Sequence, residues 1–223
     1  MKKILAILSI VLCAVSCNKP MGSYSATNVA DFLTYKDGTL FNDFGTVFTV
    51  ESDLTDTKWN GNGNRFYAIF DILDIDYNIT LKNYLVGNIS DVSGSVQEDS
   101  VPTGDPVELA HCTISGGYLN VIYNYYYKEG TDCAHDSKLY YNDDGSDLTL
   151  YLVHEGNDEN PMKMAAADLK WDSALYCFNI YDLVPSGEYR NVIFDADILY
   201  KDTDGNYLTK HMTSPIYTQR LQF

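Results

Sequence analysis

Few residues of this 223-residue chain are spaced for chemistry, and the clearest is a cysteine near its start. Cys17 follows Ala14, Val15 and Ser16 at the end of an apolar run from Ile4 to Val15, which Lys2 and Lys3 precede. A basic start, a short apolar stretch and a small residue at the cut make up an export signal. Crossing a bilayer takes roughly 20 apolar residues, so the run predicts a removed segment, residues 1–16, and not an anchor. Lipoprotein signal peptidases take a Leu-small-small-Cys type of pattern, which Ala14-Val15-Ser16-Cys17 meets at all but the first position. Cys13 fits worse, because bulky Leu12 precedes it and the apolar run continues beyond it. The expectation is acylation of Cys17, with buried methylenes at about 0.8 kcal/mol each holding the chain on a membrane. The alternative is a secreted chain cut near Ser16 with Cys17 free.

The remaining reactive residues form no recognisable set. His111, His135, His154 and His211 stand apart, with no two at a spacing that shares a strand face or helix turn, so no metal site is predicted. The chain lacks G-x-S-x-G, H-E-x-x-H and a phosphate-binding loop. No catalytic residue and no cofactor is therefore assigned, and the expectation is a protein that is not an enzyme. KDTDGNY (201–207) alternates Asp202, Asp204 and Asn206 as a calcium loop does. An EF-hand loop places Gly at position 6 and Glu at position 12, whereas counting from Asp202 puts Gly205 fourth and Thr213 twelfth. A hairpin turn of the two-residue Asp-Gly type is expected instead, with another at Asp143-Asp144-Gly145. Beyond Cys17 lie Cys112, Cys133 and Cys177, of which one pair or none could bridge in an oxidising compartment.

The tyrosine run offers a ligand reading. In a strand, period 2 sends Tyr123, Tyr125 and Tyr127 to one face with Leu119 and Val121. Tyr118, Asn120, Asn124 and Tyr126 go to the other with Ile122. If that second face is exposed, its aromatics and amides form a platform for a sugar ring or a protein; the alternative is core and cross-strand packing of the tyrosines.

Strands must position these residues. Nineteen tyrosines and few long helix formers tilt the composition towards sheet. Strand patterns occur at 45–52, at 65–75 with Phe66, Ala68, Phe70 and Ile72 on one face, and at 77–84 with Tyr77, Ile79 and Leu81 on one face. Residues 93–106 are rich in Gly, Pro and Ser and read as the internal boundary. Beyond them two strands meet at Gly116-Gly117, and DLTLYLVH (147–154) is apolar enough on both faces for a central strand. Residues 165–183 could hold a short helical turn, but no long helix.

The predicted organisation is all-β: signal 1–16, lipidated Cys17 and flexible tether 17–32, a barrel 33–103, and an antiparallel β-sandwich 104–223. Thirteen of the fifteen basic residues remain after the signal against 31 acidic ones, taking the formal charge from −16 to about −18. Such a surface repels phosphate backbones, so no nucleic-acid partner is expected.

The serial order GNRFYAIFDIL, YNITLKNY, a Pro/Gly/Asp linker, ISGGYLNVIYNYYY, LTLYLVHEGNDENP and FNIYDLV resembles the NigD-like family of bacterial envelope lipoproteins. The likeness runs from about Leu33 to the end, with Glu155 after His154 as a small departure. It implies an N-terminal OB-like β-barrel followed by a C-terminal antiparallel β-sandwich. It also implies a non-catalytic envelope lipoprotein that binds a protein or serves a structural, immunity-like role; a carbohydrate-binding lipoprotein using exposed tyrosines is the alternative. The expected partners are a membrane, through the lipid anchor, and an unidentified protein or glycan. The outer membrane, on its periplasmic side, is the expected location.

Overall fold

The computed structural model describes residues 24–55, 64–130, 135–156, 159–165, 168–184 and 190–216. Cys17, Cys133, Lys58 and Trp59 lie outside these. The described chain is built from strands and forms two compact units that divide between Leu85 and Val86.

The first unit holds β1 (Ala26–Lys36), β2 (Thr39–Asn42), β3 (Val47–Asp53), β4 (Arg65–Ile72) and the first part of β5 (Asn78–Asp91). Its strands neighbour in the order β3-β2-β1-β4-β5, and a parallel pairing of β3 with β5 closes the ring. The predicted face of β4 is buried throughout: Phe66, Ala68, Phe70 and Ile72 join Leu33, Leu40, Phe48, Ile79 and Leu81 in one core. Phe48 meets Phe70 edge-on at 5.2 Å, an arrangement aromatic quadrupoles favour. Tyr77 departs from expectation. It sits in the turn before β5 with φ +56° and is exposed, because the Asp74 carboxylate accepts from the Asp76 and Asn78 amides and ends the preceding strand. β1 starts at Ala26, within the span 17–32 expected as tether.

At the rim of this core Arg65 is 1% exposed and makes two 2.7 Å hydrogen bonds to the Asp43 carboxylate. Lys82 pairs with Asp71 at 2.8 Å. Both cations are thus engaged by carboxylates.

The second unit contains two mixed sheets. One orders the end of β5, then β11 (Leu169–Asn179), β8 (Tyr118–Lys128) and β7 (Glu108–Ser115). The other orders β13 (Tyr207–Ile216), β12 (Asn191–Lys201), β10 (Asp147–Glu155), β9 (Asp136–Asp143) and β6 (Gly94–Ser95). Leu119, Val121, Tyr176 and Phe178 from the first sheet pack with Leu139, Leu148, Leu150, Val192 and Phe194 from the second. The result is a β-sandwich with β10 at the centre of its sheet, as its two apolar faces require. The expectation of an antiparallel sandwich needs correction: β10 runs parallel to β12, β11 to β5, and β6 to β9. Parallel neighbours arise from long connections, which strand periodicity does not reveal.

Residues 93–106 are a working part of this sandwich and not the boundary. β6 pairs with β9, the Asp105 amide donates to the His154 carbonyl at 2.7 Å, and Val107 bridges to β12. Their Gly- and Pro-rich composition permits close passage along the sheet: a Cβ on Gly104 would lie 2.8 Å from the His154 backbone nitrogen. Most of residues 165–183 are β11, and the helical turn falls at their end, where the Leu183 and Val184 amides both donate to the Ile180 carbonyl.

The hairpin turns are also sorted by backbone sign. Gly116 and Gly117 both have positive φ (+60° and +80°), which a two-residue type I′ turn demands. At Asp143-Asp144-Gly145 and at Asp202–Asn206 only the glycine is left-handed, so these expected hairpins use longer turns, and Asp144 and Asp202 carboxylates accept the loop amides. Gly117→Ala places a Cβ 3.3 Å from the Tyr181 ring at positive φ. A loss of about 1–2 kcal/mol is expected in urea denaturation.

Candidate functional site

At one end of the sandwich the apolar layers give way to a polar one. The inward residues of β10 run Leu148, Leu150, Leu152 and then His154; register sets His154 opposite Ser137 of β9. From the other sheet β8 contributes Tyr123, which is 1% exposed, and then Tyr125. β11 contributes Tyr176, stacked on Tyr123 at 5.9 Å.

The polar atoms form a chain. Tyr123 Oη lies 2.7 Å from Ser137 Oγ and 3.3 Å from His154 Nδ1, and Ser137 Oγ lies 3.2 Å from the same nitrogen. On its far side His154 Nε2 is 3.4 Å from His135 Nδ1, with the two rings stacked at 5.5 Å and 14°. His135 Nε2 is buried without a hydrogen-bond partner, 3.7 Å from Glu159 Oε2. Tyr125 covers His135 at 4.6 Å between centroids.

Burial, and secondarily the adjacent His135, pushes the His154 pKa down to about 4. The ring is therefore neutral near pH 7, carrying one proton. Between His135 Nδ1 and His154 Nε2 one nitrogen donates and the other accepts, and the His154 ring also hydrogen-bonds the Asp136 backbone. Burial raises the Tyr123 phenol out of the accessible range and the Tyr176 phenol to about 12, so both stay protonated donors. The glycines flanking the cluster are fitted to it, since a Cβ on Gly156 would lie 2.9 Å from His154 Nε2.

A serine beside a histidine is also the geometry of an activated nucleophile. Ser137 and His154 are 3% and 4% exposed, however, and the serine hydroxyl is held by Tyr123. The arrangement ties β8 to β9 and β10. Tyr123→Phe leaves Ser137 and His154 bonded to one another, so about 1 kcal/mol is expected to be lost in thermal or urea unfolding, the net worth of one hydrogen bond.

The histidines are thus not all isolated, which corrects the sequence reading. Their 19-residue separation matches no motif, yet a β-hairpin turning at Asp144–Ser146 pairs Asp136 with Glu155 and brings the neighbouring histidines together. The remaining two behave differently. His111 is exposed on β7, and desolvation by its surroundings lowers its pKa. His211 on β13 lies 3.0 Å from both Asp195 and Asp197, and its hydrogen bond with Asp197 raises its pKa. Among the described residues no group of three His, Cys, Asp or Glu side chains is placed to hold a metal ion.

The four platform residues do share one face of β8, but it is not a free surface. Asn120 has no exposed area and donates to Ser115 Oγ at 3.0 Å. Asn124 accepts from Ser173 at 2.7 Å, and the Tyr126 hydroxyl is engaged with Glu108 and Tyr207 at 2.8 and 2.9 Å. Tyr118 is half-buried. Cys112 is a free thiol whose pKa burial raises to about 12, and Cys177 is buried.

Residues 88–185, which carry most of this cluster, match the family described as the NigD-like C-terminal beta sandwich domain. Over these residues the chain is similar to the NigD-like domain. Three solved structures share the fold of the chain. A protein of unknown function, DUF1344, from Bacteroides vulgatus ATCC 8482 is 16% identical, with 85% of this chain and 92% of that one covered and a TM-score of 0.55. A NigD-like immunity protein from Bacteroides caccae ATCC 43185 is 17% identical, with 86% and 99% covered and a TM-score of 0.50. A "Putative lipoprotein" from Bacteroides fragilis NCTC 9343 is 14% identical, with 88% and 100% covered and a TM-score of 0.52. No curated protein matches this chain. The NigD-like stretch of the match thus contains both histidines of the pair and Tyr123, Ser137 and Tyr176.

Proposed function

We propose that this chain is a non-catalytic lipoprotein of the cell envelope, anchored through Cys17, whose two β units bind a protein partner. The NigD-like domain is the observation that carries this reading, since proteins of similar fold are described as an immunity protein and a lipoprotein. The Ala14-Val15-Ser16-Cys17 pattern supplies the anchor. No helix of the described residues is long and apolar enough to cross a membrane, which is compatible with attachment by lipid. We read the closed β1-β2-β3-β5-β4 ring of the first unit as OB-type, and the address as the outer membrane on its periplasmic side. An immunity-like role is the specific form of the proposal. The half-buried and engaged platform residues give the glycan alternative no observation in its favour.

Capture of the mature lipidated protein from its own envelope tests the role. A defined protein partner recovered equally with the wild type and a solubilised Cys17→Ser form supports it and makes the anchor an address only. Failure of both forms to retain any envelope protein overturns it.

A further inference from the structure

The geometry points to an acid-operated latch at the end of the NigD-like domain: double protonation of the stacked His135–His154 pair breaks their mutual hydrogen bond and releases the strand ends that carry them. The chemistry is set by which nitrogens face each other. With one proton to spare, one of His135 Nδ1 and His154 Nε2, 3.4 Å apart, still offers a lone pair to the other's N–H. With both rings charged, two N–H donors oppose one another and like charges lie in stacked rings 5.5 Å apart. That state cannot keep the contact.

At His154 burial and the neighbouring ring outweigh the carboxylates Asp105 and Asp136, which favour its charged form. The groups packed on the pair are Tyr123 and Tyr125 from β8, Ser137 from β9, Gly156 beyond β10, and Glu159. The carboxylates that face it are Glu159, which already accepts from the Lys128 amide at 2.8 Å, Asp105, which accepts from the Gly156 amide at 3.0 Å, and Asp136, which accepts from Tyr176 and the Ser137 amide. Tyr127 and Tyr176 complete the aromatic wall. Burial first, and then the neighbouring His135 ring, disfavours a charge on His154. His135 and His154 sit at the start of β9 and the end of β10, which are paired from Asp136–Glu155 onward. Fraying can thus begin at this end and leave the Asp143–Leu148 end of the hairpin closed.

The test is a pH titration of the full chain by NMR, following the histidine Cε1–H and backbone amide resonances from pH 8 to pH 4. Expected are two separated titration steps for the pair, the second accompanied by amide shifts in residues 135–140 and 151–156 while those of β1, β4, β12 and β13 hold. In His135→Gln and in His154→Gln the second step disappears, and with it the amide change that accompanies it. Independent titration of both histidines without amide change in the wild type overturns the latch. So does an unchanged midpoint in both variants, which would assign the opening to Asp105, Asp136 or Glu159. Should a variant fail to fold at pH 7.5, the wild-type resonances decide alone.

Discussion

Asp43→Ala is expected to destabilise the first unit by about 3–5 kcal/mol, the cost of leaving a buried charge without its partner. Arg65 cannot turn to water: it is 1% exposed, its guanidinium stands 5.5 Å from the Phe32 ring, and Nη1 also donates to Thr34 at 3.1 Å. Removing the Asp43 carboxylate deletes both 2.7 Å contacts at once. The paired change Arg65→Met with Asp43→Leu is expected to recover most of the loss, because an apolar pair removes the desolvation cost along with the attraction. Urea denaturation followed in the first unit checks both; a loss below about 1 kcal/mol for Asp43→Ala would mean that the pair behaves as a solvated one.

The second large effect is a dependence of stability on pH in the second unit. The His154 pKa is depressed in the fold to about 4, while an unfolded histidine titrates near 6.5. Above about pH 6.5 neither state is protonated and this group has no effect. Between about 6.5 and 4 the unfolded chain binds more protons, so stability falls as the pH is lowered. Below about 4 both states are protonated and the loss levels off. The full loss is on the order of 3 kcal/mol for a shift of that size. In His154→Gln the unfolding free energy should keep a smaller slope across this window, which urea titrations at a series of pH values would show. An unchanged slope would place the acid sensitivity in carboxylates elsewhere. This equilibrium effect on global unfolding is separate from the local opening read by NMR.

These two effects illustrate how unevenly the sequence reveals the structure. Alternation in Phe66, Ala68, Phe70 and Ile72 and in Leu148, Leu150 and Leu152 locates the core of each unit, because period 2 translates directly into a buried face. Turn chemistry is legible at Gly116-Gly117, where both residues must be left-handed. The unit boundary is not, because the chain passes from one unit to the next inside the continuous strand β5, which no change of composition marks. Residues 93–106 mislead for the complementary reason: glycine there serves close approach to His154, and composition cannot tell that from a linker. Parallel pairing of β10 with β12 is also invisible, since a strand carries no local record of its neighbour's direction. The His135–His154 contact and the Arg65–Asp43 pair depend on register and on burial, and each looks like an isolated polar residue until the strands are paired. Asn120 shows the reverse failure. An amide beside tyrosines reads as a ligand contact, but it caps Ser115 across the β7–β8 turn.

The measurement that bears most directly on the lipoprotein reading is the intact mass of the chain extracted from membranes of its native cell. The account predicts loss of residues 1–16 and an acylated Cys17 at the new N-terminus, with Cys17→Ser released from the membrane fraction. An unmodified Cys17, or a Cys17→Ser chain that remains membrane-bound, would contradict it.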